Sequence, residues 1–157
     1  MDYGIQLYSV RDLAEKDLSA AVKRVAELGY SSVEFAGFFG HSADEVNEML
    51  RENNLRVSST HSGFDDLVNN YDETVAFHKA IGNKLYIIPA YGLDSQEKLD
   101  DFVKKASEIS KRLSQDGITL AYHNHSREFI PNADGSLIYD QLLYRTDLKI
   151  PTGHLWV

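Results

Sequence analysis

Short β-branched or apolar runs recur along this chain about every thirty residues, and helical patterns fill the intervals. The runs are YGIQLYSV at 3–10, SSVEFAG at 31–37, LRVSSTHS at 55–62, KLYIIPAY at 84–91, ITLAYHNH at 118–125 and LKIPTGHLWV at 148–157. Runs of this length and composition read as strands. Between the first two, Leu18, Ala21, Val22, Val25 and Leu28 fall at helical spacing, with Gly29 placed for a C-terminal cap. Ser42-Ala43-Asp44-Glu45 fits a capping box for a second helix that presents Val46, Met49 and Leu50. Further helices are expected over 65–81, over 95–114 through Leu99, Phe102, Val103, Ala106, Ile109 and Leu113, and over 137–145. The order is therefore βαβαβαβαβαβ.

Strands that alternate with helices form parallel sheets with right-handed crossovers, either open and doubly wound or closed into a barrel. Two features favour the barrel. No glycine-rich phosphate loop follows the first strand, as an open nucleotide-binding sheet often shows. Polar residues also gather at the C-terminal ends of several strands: Gln6 and Tyr8, Glu34, Ser59 and His61, then His123 and His125. A barrel of eight βα units assembles its site from many strand ends in this way. The expected fold is α/β, an incomplete (β/α) TIM-barrel type with about six of the eight strands, in one partial domain over 1–157.

Composition narrows the partners. With 157 residues, 43% hydrophobic, the chain can build one ordinary core. Its 24 acidic and 16 basic residues give a net charge of -8, and no basic cluster longer than a pair occurs. Nucleic acid rewards a basic face, so it is not an expected partner, and a metal nuclease is disfavoured on the same ground. Absence of cysteine excludes disulfides and thiolate chemistry. The N-terminus lacks a signal-peptide pattern and no apolar run approaches a membrane span, which reads as a cytoplasmic protein with no membrane partner.

Two of the six histidines stand on alternate residues at the end of the fifth run. Strand parity puts Ile118, Leu120 and Tyr122 against the helices and Thr119, Ala121, His123 and His125 toward the barrel axis. Neutral imidazole ligates Zn, Mn, Co or Fe well, but alternate strand residues lie about 6.6 Å apart, so one ligand and one substrate contact are expected. Glu128 is a second ligand, a general base or a cap for the next loop. Glu34 lies on the strand face opposite Val33 and Phe35; a carboxylate inside a barrel needs a substrate hydroxyl, a metal or a buried cation as partner. His61 ends the third strand as a substrate contact or a solvated residue, and Gln6 binds a hydroxyl or ties strands together. His78, inside a helix, and His41, in a loop, read as surface residues.

The segments GIQLYSVRD, VEFAG, STHSGF and YHNHSREF, the last followed by DG and YDQLLYRTD, together resemble the xylose-isomerase-like barrel superfamily. Within it they are similar to the sugar phosphate isomerase/epimerase group, near inosose dehydratases and hydroxypyruvate-isomerase-like proteins. The resemblance implies a divalent metal (Mn, Zn, Co or Mg) held at the barrel mouth by the ends of strands five to eight. It implies a sugar or polyol substrate whose carbonyl is polarised while an acid/base group moves the neighbouring proton. Position by position, His123 falls where many relatives carry a metal-binding Glu. His125, Glu34 and His61 match positions that face substrate or support the site, and Glu128 belongs to the YHNH-type motif. The expected roles are catalytic for Glu34, Glu128 and His125, substrate-binding for Gln6, Tyr8 and His61, and metal-binding for His123. Phe35, Phe38, Phe39, Phe64 and Tyr91 are core residues or surfaces on which sugar rings stack.

The sequence also departs from that pattern. The family barrel has eight strands, whereas this chain runs only to about the sixth. Where relatives supply a metal-binding Asp in a segment like LDTG.WV, this chain reads Ile150-Pro151-Thr152-Gly153-His154-Leu155-Trp156-Val157. The Asp is missing or displaced to Asp147, with His154 as a substitute. An open barrel leaves strand edges unpaired. A truncated gene product, a homo-oligomer or completion by another chain is therefore expected. The expected function is a metal-dependent sugar isomerase or epimerase, or a keto-sugar or inosose dehydratase. The alternative is a catalytically inactive half-barrel that binds sugar or serves assembly.

Overall fold

The computed structural model describes residues 3–149. Its strands are β1 (Gly4–Gln6), β2 (Ser32–Phe35), β3 (Arg56–His61), β4 (Leu85–Ile88) and β5 (Thr119–Tyr122). The helices are α1 (Arg11–Ala14), α2 (Leu18–Glu27), α3 (Ala43–Glu52), α4 (Phe64–Asn69), α5 (Tyr71–Ala80), α6 (Gln96–Gln115) and α7 (Ile138–Arg145). All neighbouring strands pair in parallel, in the order β1-β2-β3-β4-β5. A doubly wound sheet reverses direction partway, whereas consecutive order is that of a barrel wall. The fold is thus an α/β, incomplete barrel.

Helix starts follow the local chemistry. The Ser42 hydroxyl accepts from the Glu45 amide at 3.3 Å and the Glu45 carboxylate accepts from the Ser42 amide at 2.7 Å, a complete capping box. Asp17 and Ser95 cap α2 and α6 in the simpler way. Expected apolar faces are buried in both helices, except that Leu28 is the exposed C-cap of α2. Two hydrophobic clusters result. One joins α2 and α3 to Val33 and Phe35 of β2; the other joins Phe64, Phe102 and Ala106 to Tyr86, Ile88, Leu120 and Tyr122.

Several boundaries differ from the sequence reading. The first strand covers only three residues, because Leu7–Val10 turn into a 3-10 helix. The helix expected over 65–81 is two helices that meet at Asn70, whose ψ of 46° breaks the first. The fifth strand ends at Tyr122, although the His123 amide still donates to the Ile88 carbonyl at 2.9 Å. Of the sixth strand only its first contact lies within the described residues: Lys149 bridges Ala121 in parallel. His154 lies outside the described residues. Asp147 is exposed beside Thr119, where β5 begins, because it precedes that bridge. The end of the sheet that carries His123 is the opposite one, so Asp147 does not replace the missing acidic ligand.

His78 is buried, not on the surface. Asn83 Nδ2 lies 3.2 Å from His78 Nδ1 and donates to Thr60 Oγ1 at 3.1 Å, and the Tyr86 ring packs 4.7 Å from the imidazole. A four-residue turn after α5 folds the chain back so that one face of the helix, His78 included, meets β3 and β4. Burial pushes the imidazole from 6.5 down to about 4. The fold therefore holds the neutral ring, and its contribution is complete above pH 6.5 and lost as pH falls toward 4. Between pH 7 and 4.5 the wild type should lose about 2–3 kcal/mol more unfolding free energy in urea titrations than His78→Gln does.

Phe102 is fully buried, with the rings of Phe64, Tyr91 and Tyr122 at 4.9, 5.0 and 5.7 Å. Truncating it leaves a cavity that aromatic neighbours fill poorly. Phe102→Ala should lower the unfolding free energy by about 3–5 kcal/mol, and the exposed Leu143→Ala by less than about 0.5 kcal/mol, in the same titration.

Candidate functional site

The strand ends that carry His61 and His123 open onto a cavity of about 480 Å3. Gln6 and Tyr8 border it from the β1 side, Ala36 and Gly37 from β2, His61 from β3, Pro89 and Ala90 from β4, and His123 and His125 from β5. Five consecutive strand ends therefore converge on one mouth, as side-chain parity requires. Ile118, Leu120 and Tyr122 face the helix α6 cluster as expected.

Glu34 stands at the base of this mouth, behind two of its lining residues. A register irregularity between Val33 and Glu34 aligns Glu34 with Ser59, while Gln6 is its partner on the other side. Glu34 Oε1 accepts from Gln6 Nε2 at 2.5 Å and lies 3.3 Å from His61 Nε2. Its Oε2 accepts from the Ser59 hydroxyl. The Glu34 and His61 side chains are only 12% and 11% exposed. The partner that a buried carboxylate requires is thus supplied from within the protein, by an amide, a hydroxyl and an imidazole. The Gln6 amide also lies 3.2 Å from the His61 ring nitrogens.

The imidazoles continue this network across the mouth. The His61 and His123 ring centroids are 5.0 Å apart, and those of His123 and His125 are 4.7 Å apart with the planes nearly perpendicular. The extended segment ends at Tyr122, so both histidines stand just beyond β5. Tyr8, in the 3-10 turn, remains exposed; Arg11 lies 4.6 Å over its ring and donates to its carbonyl at 3.0 Å.

Glu128 is placed differently from the others. It is 1% exposed and does not line this mouth. Its Oε1 accepts from the Tyr122 hydroxyl at 3.0 Å and from Arg127 Nε at 2.9 Å, and its Oε2 accepts from the His125 amide at 2.6 Å. Arg127 in turn donates to the Tyr91 carbonyl at 2.8 Å, which ties the loops after β4 and β5 together. Burial works to raise the Glu128 pKa, but Arg127, the His125 amide and the Tyr122 hydroxyl outweigh it, and the carboxyl is lowered. The geometry matches the cap among its three sequence-level readings. Sequence reasoning passed over Arg127, since a lone arginine in a loop carries no pattern of its own, and it named Ser59 among the polar strand ends without assigning it a partner.

The metal implied by the resemblance can be tested against these side chains. Among the described residues no group of three or more His, Asp or Glu side chains comes together in a way that could hold an ion. His123 and His125 are two adjacent donors, and Glu34 is already committed to three partners. The described residues therefore do not by themselves fit a metal centre.

No protein-family model and no curated protein matches the sequence. Solved structures do match the fold. Two structures of a sugar phosphate isomerase/epimerase from Parabacteroides distasonis superpose with TM-scores of 0.76 and 0.78, at 20% and 22% identity over 95% of this chain. A D-allulose 3-epimerase from Methylomonas sp. in complex with D-allulose superposes over 78% of this chain, at 18% identity and TM-score 0.56. The IOLI protein with a bound zinc atom does so over 78%, at 12% identity and the same TM-score. This chain spans 66% and 67% of the two Parabacteroides chains and 51% of each of the others. The fold is that of the sugar phosphate isomerase/epimerase and xylose-isomerase-like TIM barrels, in incomplete form.

Replacing Glu128 by Gln removes a buried charge that the His125 amide, the Arg127 guanidinium and the Tyr122 hydroxyl all address. Glu128→Gln should cost about 2–3 kcal/mol at pH 7. Because the folded pKa is lowered, the wild type loses this advantage as pH falls through the carboxylate range, so the two urea midpoints should converge toward acid.

Proposed function

We propose that the mouth takes an uncharged sugar or polyol carrying a carbonyl and serves an isomerase or epimerase reaction, with the Glu34–His61 pair as its proton-transfer unit. The observation that carries this reading is a mostly buried carboxylate, fixed from three sides, set directly behind an imidazole that lines a cavity of sugar size. Histidine exchanges protons near neutral pH, and a carboxylate behind it orients the ring and stabilises the imidazolium that forms. In this arrangement His61 removes the proton from the carbon next to the carbonyl and Glu34 acts as its positioning residue. Charge then develops on the carbonyl oxygen, and His125, which lines the mouth, supplies an imidazole to stabilise it. Return of the proton to the other face or to the neighbouring carbon gives epimerisation or isomerisation. The Gln6 amide reads a hydroxyl.

Two further observations support the substrate class. No Lys or Arg is among the described residues that line the mouth, which favours a neutral sugar over a phosphate ester. The neighbours of similar fold include a 3-epimerase bound to D-allulose. A divalent ion, such as the zinc of the IOLI protein, would have to draw ligands from outside the described residues, and no step above runs through it. The same shortage of ligands favours a second reading, a barrel segment that binds sugar without turning it over.

The test is exchange of substrate C–H for deuterium in D2O, followed by proton NMR with D-allulose and D-fructose, with added Mn2+ or Zn2+ and with chelator. Deuterium should enter at the carbon beside the carbonyl, and Glu34→Gln should slow this about 100-fold or more. Sugar binding without exchange would establish the binding-module reading; absence of both would remove the sugar assignment.

A further inference from the structure

Two carboxylates brace the mouth from different sides. Glu34 fixes Gln6, Ser59 and His61 on the side of β1 to β3. On the side of β4 and β5 the buried acid is Glu128, which lies behind the mouth and not in its lining. It joins the Tyr122 hydroxyl, at the end of β5, to the backbone amide of His125, which does line the mouth. Arg127 extends this network out of its own loop: Nε donates to Glu128 Oε1 at 2.9 Å, and Nη2 donates to the Tyr91 carbonyl at 2.8 Å. Tyr91 is itself anchored, with its ring 5.3 Å from Phe64 and 5.0 Å from Phe102 and its hydroxyl donating to Asp65 Oδ1 at 3.4 Å. A continuous set of contacts therefore runs from the start of α4, through the loop after β4, to the backbone of His125.

Capping the 3-10 turn Ser126–Phe129 needs only the bond from the His125 amide to Glu128. The second Arg127 bond leaves that turn for the loop of another strand. Burial does not account for it either, because the Arg127 side chain is 48% exposed. A guanidinium addresses two acceptors in fixed geometry, whereas a lysine in its place supplies the charge without the fork. We infer that Arg127 is a positioning residue: with Glu128 it locks the loop after β5 to the loop after β4 and so fixes where the His125 imidazole stands at the mouth. Pro89 and Ala90, just before Tyr91, line the same mouth, so the lock joins two parts of its wall. This inference rests on the reading of His125 as the group that meets the developing charge. A small displacement of such a group lowers the rate while substrate binding, made by other contacts, persists.

The experiment compares wild type with Arg127→Lys and Arg127→Gln. It measures thermal midpoints, amide hydrogen exchange at 90–92 and 123–126, and the rate of deuterium entry into D-allulose as a function of sugar concentration. Arg127→Gln should lose about tenfold or more in kcat with KM changed by less than about twofold. Arg127→Lys should regain most of the thermal midpoint but not kcat, and both variants should exchange amides faster in the two loops together. If Arg127→Lys restores midpoint and kcat alike, Arg127 is only a charge partner of Glu128 and the inference is overturned. Faster exchange confined to 123–126, or a rise in KM with kcat unchanged, would overturn it as well. A wild type that exchanges no deuterium into the sugar would remove the proposed reaction, and this inference with it; that outcome is recognised before any variant is compared.

Discussion

A carboxylate placed among parallel strands must find partners or abandon its charge, and this constraint organises the mouth of the barrel. Glu34 meets it with three strands at once. Gln6 comes from β1, Ser59 and His61 from β3, and the register irregularity in β2 brings Ser59 rather than Ser58 opposite the acid. The network is what holds Gln6 and His61 toward the cavity, so the same interaction that satisfies the buried charge also sets the polar floor of the site. Beneath it, the two hydrophobic clusters fix the helices against the outer face of the sheet and leave the strand ends free to carry chemistry.

The histidines show how environment assigns different tasks to one side chain. His61 has a carboxylate beside it and lines the cavity. His123 and His125 lie on the loop that leaves β5, and Glu128 grips the backbone of His125 from the protein side. Among the described residues His78 is met by Asn83, Thr60 and aromatic rings, and burial keeps it neutral. Electrostatics alone separates a core imidazole from a mouth imidazole here, since all of these residues sit near the ends of regular elements.

Much of the architecture was legible in periodicity. Val25, Val46 and Phe102 recur at helical spacing and are buried; Glu34 alternates with Val33 and Phe35 and faces away from them. The gathering of Gln6, Glu34, His61 and His123 at strand ends was legible once the strands were taken as parallel, because parallel strands bring all their C-terminal ends to one side. The break at Asn70, the burial of His78 and the capping duty of Glu128 were not. Each depends on which neighbour the chain meets after a turn, and a local pattern carries no information on that.

The sequence by itself therefore determined the alternation of strands and helices, the inward and outward faces, and the candidate residues of the mouth, since these follow from side-chain spacing along one element. Only the tertiary structure decided who partners whom. It gave Glu34 to Gln6, Ser59 and His61, and it gave Glu128 to His125, Tyr122 and Arg127. The physical reason is that a buried polar group is stabilised by contacts distant in sequence, and those contacts exist only after the strands have taken their register.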